Sequence, residues 1–183
     1  MKRSVRISSD RQTLETLLAK EEIRELALLY SRGVDRKDPQ LLRSLYTDDA
    51  TDTHGDAFDG SAKEYVDFLE RSFPHIRYSG HHICNHLISV EGDLGEGEVY
   101  VLAYHVIPDR QGGWVEDLIA VRYIDRYRKQ SGRWRFSKRV VTFDMRTVRP
   151  CQRPPGEAPD ASKDPSYTEL SSRLFARDPR GRG

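Results

Sequence analysis

Six histidines carry much of the chemical interest of this 183-residue chain. Three of them, His81, His82 and His86, cluster in the run SGHHICNHL. An imidazole that titrates near neutrality is both a natural proton acceptor and a common metal ligand. The run reads as a strand. Alternation along a strand sends His81 to one face with Ile83 and Asn85, and His82 and His86 to the other. Four strand residues place His82 and His86 about 13 Å apart, too far to share one zinc. No second carboxylate or cysteine cluster completes a site, so no metal is expected. His54 stands on a short strand, where it either lines a pocket or sits in an exposed loop. His105 shares a strand face with Val99, Val101 and Ala103. Arg139 shares one with Val141 and Phe143, an unusual neighbourhood for a cation unless it forms a buried salt bridge. No Gly-rich phosphate loop, G-x-S-x-G elbow or C-x-x-C is present.

Those residues need elements to position them. Leu14, Leu17 and Leu18 lead into Ile23, Leu26, Ala27, Tyr30 and Val34, spaced as one face of a helix. Gly33 is expected to loosen its last turn. Asp38-Pro39 reads as the N-cap and first residue of a short helix carrying Leu41, Leu42, Leu45 and Tyr46. Thr51 to His54 is a short strand and Asp59-Gly60 a turn. Ser61-x-x-Glu64 is a capping box before Tyr65, Phe68, Leu69 and Phe73, a third helix stopped by Pro74. Four long strands follow, over about 76–90, 97–107, 114–128 and 133–147, separated by turn signals as in an antiparallel meander. The order α-α-β-α-β-β-β-β specifies an α+β fold, with three helices on one face of a strongly curved, mostly antiparallel sheet.

Lys and Arg number 30 against 29 Asp and Glu. A net charge of +1 supplies no field of one sign, so neither a nucleic acid nor a membrane surface is an expected partner. Two cysteines, Cys84 and Cys151, make no disulfide framework, and the N-terminus has no apolar signal-peptide core. A cytoplasmic protein is expected. Residues 1–12 read as a flexible N-terminus, 13–148 as the folded domain and 149–183 as a proline-rich tail able to dock a short helix over 166–176. In the strand over 97–107 both faces are largely apolar. One covers the helices or a cavity; the other needs a partner, which points to a homo-oligomer, dimer or trimer.

The run AKEEIRELALLYSRGVDRKDPQLLRSLYTDDA, then GHHICNHLISVEGD, then RYIDRYRKQSGRWRFSKR, resembles the SnoaL-like branch of the NTF2-like superfamily over about residues 14–147. The resemblance implies a cone-shaped α+β barrel with its pocket between the helices and the concave sheet. It is most similar to the family's cofactor-free dehydratases and eliminases. Their shared Asp and His correspond to Asp35 in GVDRKD and to His81, with Asn85 as register marker. Arg139 in FSKR matches a dehydrochlorinase's catalytic arginine, and Tyr30 a tyrosine of a bile-acid dehydratase. Helical geometry alone would not select Asp35, which lies off the apolar stripe and reads as a solvated helix-end acid.

The chemistry so implied is elimination without a cofactor. His81 would take a proton from carbon, and Asp35 on its other ring nitrogen would fix the tautomer. Arg139 would steady a departing anion and Tyr30 would protonate a leaving hydroxyl. Val101, Ala103, Val141 and Phe143, with Tyr46, His54, His105 and Tyr123, would line a pocket for a hydrophobic ring compound: an aromatic of lignin type, a steroid or a polyketide. The group lost would be water, halide or a small aldehyde. An isomerase or cyclase using the same base, a non-catalytic ligand-binding module and the small subunit of a ring-hydroxylating dioxygenase are the competing readings.

Overall fold

The computed structural model describes residues 2–154, 156, 160 and 163–177, with side chains from residue 13 onward. Helix α1 spans Lys2–Asp35. It therefore includes most of the stretch expected to be loose, a run free of Gly and Pro that nothing local obliges to break. Ile23, Leu26, Ala27, Tyr30 and Val34 are buried, whereas Leu14, Leu17 and Leu18 are exposed, so the helix packs on the sheet only from about Ala19 onward. Its C-terminus is a Schellman cap: Lys37 takes φ +51°, its N–H donates to the Val34 carbonyl, and the Asp38 N–H donates to that of Gly33. Gly33 stays helical. A Cβ there would lie 2.7 Å from Leu42, so its role is the close approach of the next helix and not a loosened turn.

Helix α2 (Pro39–Ser44) starts at Asp38, whose carboxylate accepts from the Leu41 N–H at 2.9 Å. Tyr46 is not on it but opens strand β1 (Tyr46–His54). Strand β2 (Phe58–Ser61) was not expected; Asp59 and Gly60 pair in it with Thr53 and Asp52. The reversal lies earlier, at Gly55 with φ +52°. Helix α3 (Ala62–Ser72) carries the expected capping box between Ser61 and Glu64. Strands β3 (Tyr78–Glu91), β4 (Leu94–Pro108), β5 (Trp114–Gln130) and β6 (Arg133–Pro150) form the meander. Ser131 and Gly132 close the last hairpin, both at positive φ as a two-residue I′ turn demands.

The strands form one unclosed sheet in the order β2-β1-β6-β5-β4-β3. Every pair is antiparallel except β1 with β6. Ile23, Tyr30, Leu42, Val66, Val99, Val101, Tyr127 and Phe136 fill the space between helices and sheet. Each such side chain contributes about 1.5–3 kcal/mol of burial. On the outer face, Tyr100, Leu102, Leu118, Ile124 and Met145 remain 38–57% exposed. The tail forms two 3-10 turns, Pro165–Tyr167 and Arg173–Phe175, in place of the expected helix over 166–176. They dock on α1, where the Arg32 guanidinium lies 4.7 Å over the Tyr167 ring and Arg36 pairs with Asp164 at 2.8 Å.

Candidate active site

Asp35 is the last residue of α1 and His81 the fourth of β3. The Schellman cap fixes the helix end, and the Lys37 ammonium ties it to the Ile76 carbonyl just ahead of β3 at 2.8 Å. The Asp35 carboxylate thereby reaches β3 despite lying off the helix's apolar stripe. It accepts from His81 Nδ1 at 2.7 Å, from the His81 backbone N–H at 3.0 Å and from the Ser79 hydroxyl at 2.9 Å. Burial pushes this carboxyl up, but the His81 hydrogen bonds, the imidazole charge and the Ser79 hydroxyl outweigh it and hold it below its ordinary value. With Asp35 on Nδ1, Nε2 is the nitrogen left for chemistry. The pair is sheltered, with side chains 8% and 15% exposed. A cleft of about 380 Å³ beside it is lined by Asp35, Lys37, Arg77 and Ser79, with the tail residues Asp164 and Pro165. A cleft of about 450 Å³ near Trp134 contains none of the expected site residues; the cleft beside Asp35 contains that residue but neither His81 nor any of the residues expected to line a substrate pocket.

His105 pairs across from Asp117 on the same inner face. Its ring meets that of His81 edge-on at 5.2 Å. Burial, with the neighbouring His81 adding, lowers its pKa to about 4, so at neutral pH it is an uncharged hydrogen-bonding group. The Arg146 guanidinium holds Asp117 with two hydrogen bonds, at 2.8 and 2.7 Å.

Arg139 lies wholly inside. Its Nε and Nη2 both donate to Asp125 at 2.8 Å, and its guanidinium sits 4.1–4.2 Å from the ring centres of Tyr30, Tyr123 and Phe136. Among the described residues Nη1 has no hydrogen-bond partner; it is the guanidinium nitrogen that Asp125 does not engage. Tyr30 is buried at the α1–sheet interface with its hydroxyl 3.0 Å from that of Tyr65. Val101, Ala103, Tyr123 and Val141 are buried on the inner face, as is Tyr46, which donates to Asp52 at 2.7 Å. Phe143 is half exposed against Gly55, at the rim. His54 is on β1 and not in a loop, bonded through Nδ1 to Asp52 at 2.6 Å and through Nε2 to Tyr65 at 2.8 Å.

One parity expectation fails. A bulge between Ile83 and His86 shifts the β3 register, so His86 turns inward beside Val99 and meets the Tyr127 hydroxyl at 3.1 Å. Among the described residues, no three His, Cys, Asp or Glu side chains converge as a metal would require. Several members of the site were missed. Asp52-x-His54 and Ser79-x-His81 are two-residue spacings that share a strand face; that signal was available. Tyr65, Asp125 and Asp117 gave none, because their partners come from other elements, α1 and β1 for Tyr65 and the neighbouring strand β6 for the two carboxylates.

The SnoaL-like domain family matches residues 15–140. The chain belongs to that family. No curated protein matches it. Solved structures share the fold. A putative scytalone dehydratase from Novosphingobium aromaticivorans is 22% identical, with a TM-score of 0.65, over 75% of this chain and 92% of that one. A hexachlorocyclohexane dehydrochlorinase from Novosphingobium barchaimii is 24% identical, with a TM-score of 0.64, over 73% and 91%. The beta subunit of a putative aromatic-ring-hydroxylating dioxygenase from N. aromaticivorans is 18% identical, with a TM-score of 0.55, over 70% and 91%. Among the described residues no helix is long and apolar enough to cross a membrane.

Proposed function

We propose that this chain is a cofactor-independent lyase in which His81, oriented by Asp35, removes a proton from carbon in a hydrophobic ring compound while a neighbouring group departs. The observation that carries the reading is the 2.7 Å contact from His81 Nδ1 to Asp35. The carboxylate fixes the Nδ1–H tautomer, aims Nε2 as the base and stabilises the imidazolium once it forms. His105, neutral and edge-on to that ring, is suited to hold a substrate oxygen. Arg139 Nη1 is the cationic donor for a developing anion, and Tyr30 a phenol able to protonate a leaving hydroxyl. The dehydratase and dehydrochlorinase among the structural relatives support a lyase. The dioxygenase subunit supports a scaffold role, but a scaffold gains nothing from burying a carboxylate–imidazole pair, whose desolvation is costly.

The test is substitution on a substrate found by screening aromatic and steroid compounds for loss of water, hydrogen halide or formaldehyde. His81→Ala and Asp35→Asn are each expected to lower kcat by about 100-fold or more with the fold retained. Full activity in His81→Ala refutes the reading. We also propose that the half-exposed outer sheet face is covered by a second copy of the chain; a monomer in sedimentation at micromolar concentration refutes that.

A further inference from the structure

Asp52 and His54 leave β1 two residues apart and so share its inner face. The Asp52 side chain is 0% exposed and that of His54 16%. Since a carboxylate only accepts, His54 Nδ1 carries a hydrogen and Nε2 is the variable nitrogen. Nε2 lies 2.8 Å from the Tyr65 hydroxyl, and that hydroxyl 3.0 Å from the Tyr30 hydroxyl. The His54 and Tyr65 rings stack at 4.3 Å, which fixes their contact. The result is a continuous line of hydrogen bonds from a partly exposed imidazole to a buried phenol on α1, five residues before Asp35.

The line has two proton orders. When His54 is imidazolium, Nε2–H donates to the Tyr65 oxygen, Tyr65 donates to Tyr30, and the Tyr30 hydrogen is directed onward. When His54 is neutral, Nε2 accepts from Tyr65, which accepts from Tyr30. One order becomes the other when a single proton leaves at the Tyr30 end.

We propose that Asp52, His54, Tyr65 and Tyr30 form a proton-delivery line that serves an oxygen leaving group, with Tyr30 as the terminal donor. The proposal rests on His81 as the base. His81 takes the proton from carbon and the C–H pair becomes the new double bond. The C–O bond breaks with its pair going to oxygen, which receives the Tyr30 proton. Tyr65 reprotonates Tyr30, and His54 reprotonates Tyr65. His81 has then gained one proton and His54 lost one, and exchange with water resets both. Burial pushes the Tyr30 hydroxyl up to about 12, so it stays protonated at neutral pH. A halide is too weak a base to need this proton, so the line assigns the site to dehydration and not to dehydrohalogenation.

Two experiments test it on the full chain. The first needs no substrate: histidine-labelled protein is compared by NMR. Tyr65→Phe removes the hydroxyl bonded to His54 Nε2 and is expected to move the nitrogen-15 signal of that atom; Tyr30→Phe, one bond further along, is expected to move it in the same direction and less, while the His81 signals stay in place. An unmoved His54 Nε2 signal in both overturns the line. The second compares an aryl β-hydroxy ketone with its β-chloro counterpart, which eliminate to the same enone. His54→Asn and Tyr65→Phe are expected to slow loss of water ~100-fold and loss of chloride less than ~2-fold, whereas His81→Ala slows both. Equal slowing of the two by His54→Asn overturns the donor role. Unchanged rates in His81→Ala overturn the base, and absent turnover of both probes counts against the lyase reading; in each case the NMR comparison still decides the line.

Discussion

Asp125→Asn removes the counter-charge of the most deeply buried cation among the described residues. Arg139 and Asp125 side chains are both 0% exposed, and the two guanidinium hydrogen bonds are near-ideal at 2.8 Å. Breaking such a pair from one side costs about 3–5 kcal/mol, because the surviving charge stays desolvated. Here the three rings around Arg139 remain, and the asparagine carbonyl retains one hydrogen bond, so the expected loss is at the lower end, about 3 kcal/mol. For a domain of this size that lowers Tm by roughly 6–12 °C. Arg139→Met should cost at least as much, since it strands Asp125 with only the Tyr127 hydroxyl, 3.0 Å away. The double variant strands neither charge. Its cost in urea unfolding should fall short of the sum of the singles by about 2–3 kcal/mol. A coupling below about 1 kcal/mol would refute the assignment of Arg139 to a structural pair, and with it the restriction of its chemistry to Nη1.

Acid should weaken the fold through His105. Its folded pKa is about 4, below the ordinary 6.5, so the unfolded chain takes up the proton first and stability declines as pH falls from the ordinary value to the folded one. The full window amounts to about 3 kcal/mol, and His105→Asn should flatten the Tm profile there. Asp35 acts in a separate window: its lowered pKa contributes stability at and above the ordinary carboxylate range, lost only as pH falls through the folded value. Gly33→Ala places a Cβ 2.7 Å from Leu42, with an expected cost of about 1–3 kcal/mol by denaturant unfolding; a stability gain would refute the close-approach role. Ser61→Ala breaks the α3 capping box and should cost about 0.5–2 kcal/mol.

Local chemistry made most elements legible. The Asp38 and Ser61 caps, the apolar face from Ile23 to Val34 and the turn residues between the long strands each specify structure within a few residues of themselves. Two features were not local. Strand β2 carries Asp59-Gly60, which reads as a turn, and becomes a strand because β1 supplies pairing partners. The β3 bulge has no composition signal, and it moves His86 to the other face. In the site, His81 and Asp35 came from the family pattern alone: the helical wheel pointed Asp35 outward, and only the cap at Lys37 and the position of β3 bring it in. Phe143 followed strand parity correctly, yet it lies where the sheet outruns the helices and is half exposed.

The inner carboxylates divide by partner. Asp125 and Asp117 are each gripped by two nitrogens of an arginine, Arg139 and Arg146. A guanidinium does not give up its proton at physiological pH, so these pairs have one protonation state and can only hold shape or charge. Asp35 and Asp52 instead pair with histidines, whose second nitrogen remains able to gain or lose a proton. Charge burial costs several kcal/mol per ion in either case, and an arginine in place of His54 would satisfy Asp52 more completely. Imidazoles at just these two carboxylates supply what the arginine pairs lack, a proton that can move. One imidazole lies on β3, held by the end of α1, and the other on β1, two strands on opposite flanks of the same sheet. An elimination from carbon to oxygen requires both of its proton transfers to be served, one removed and one delivered.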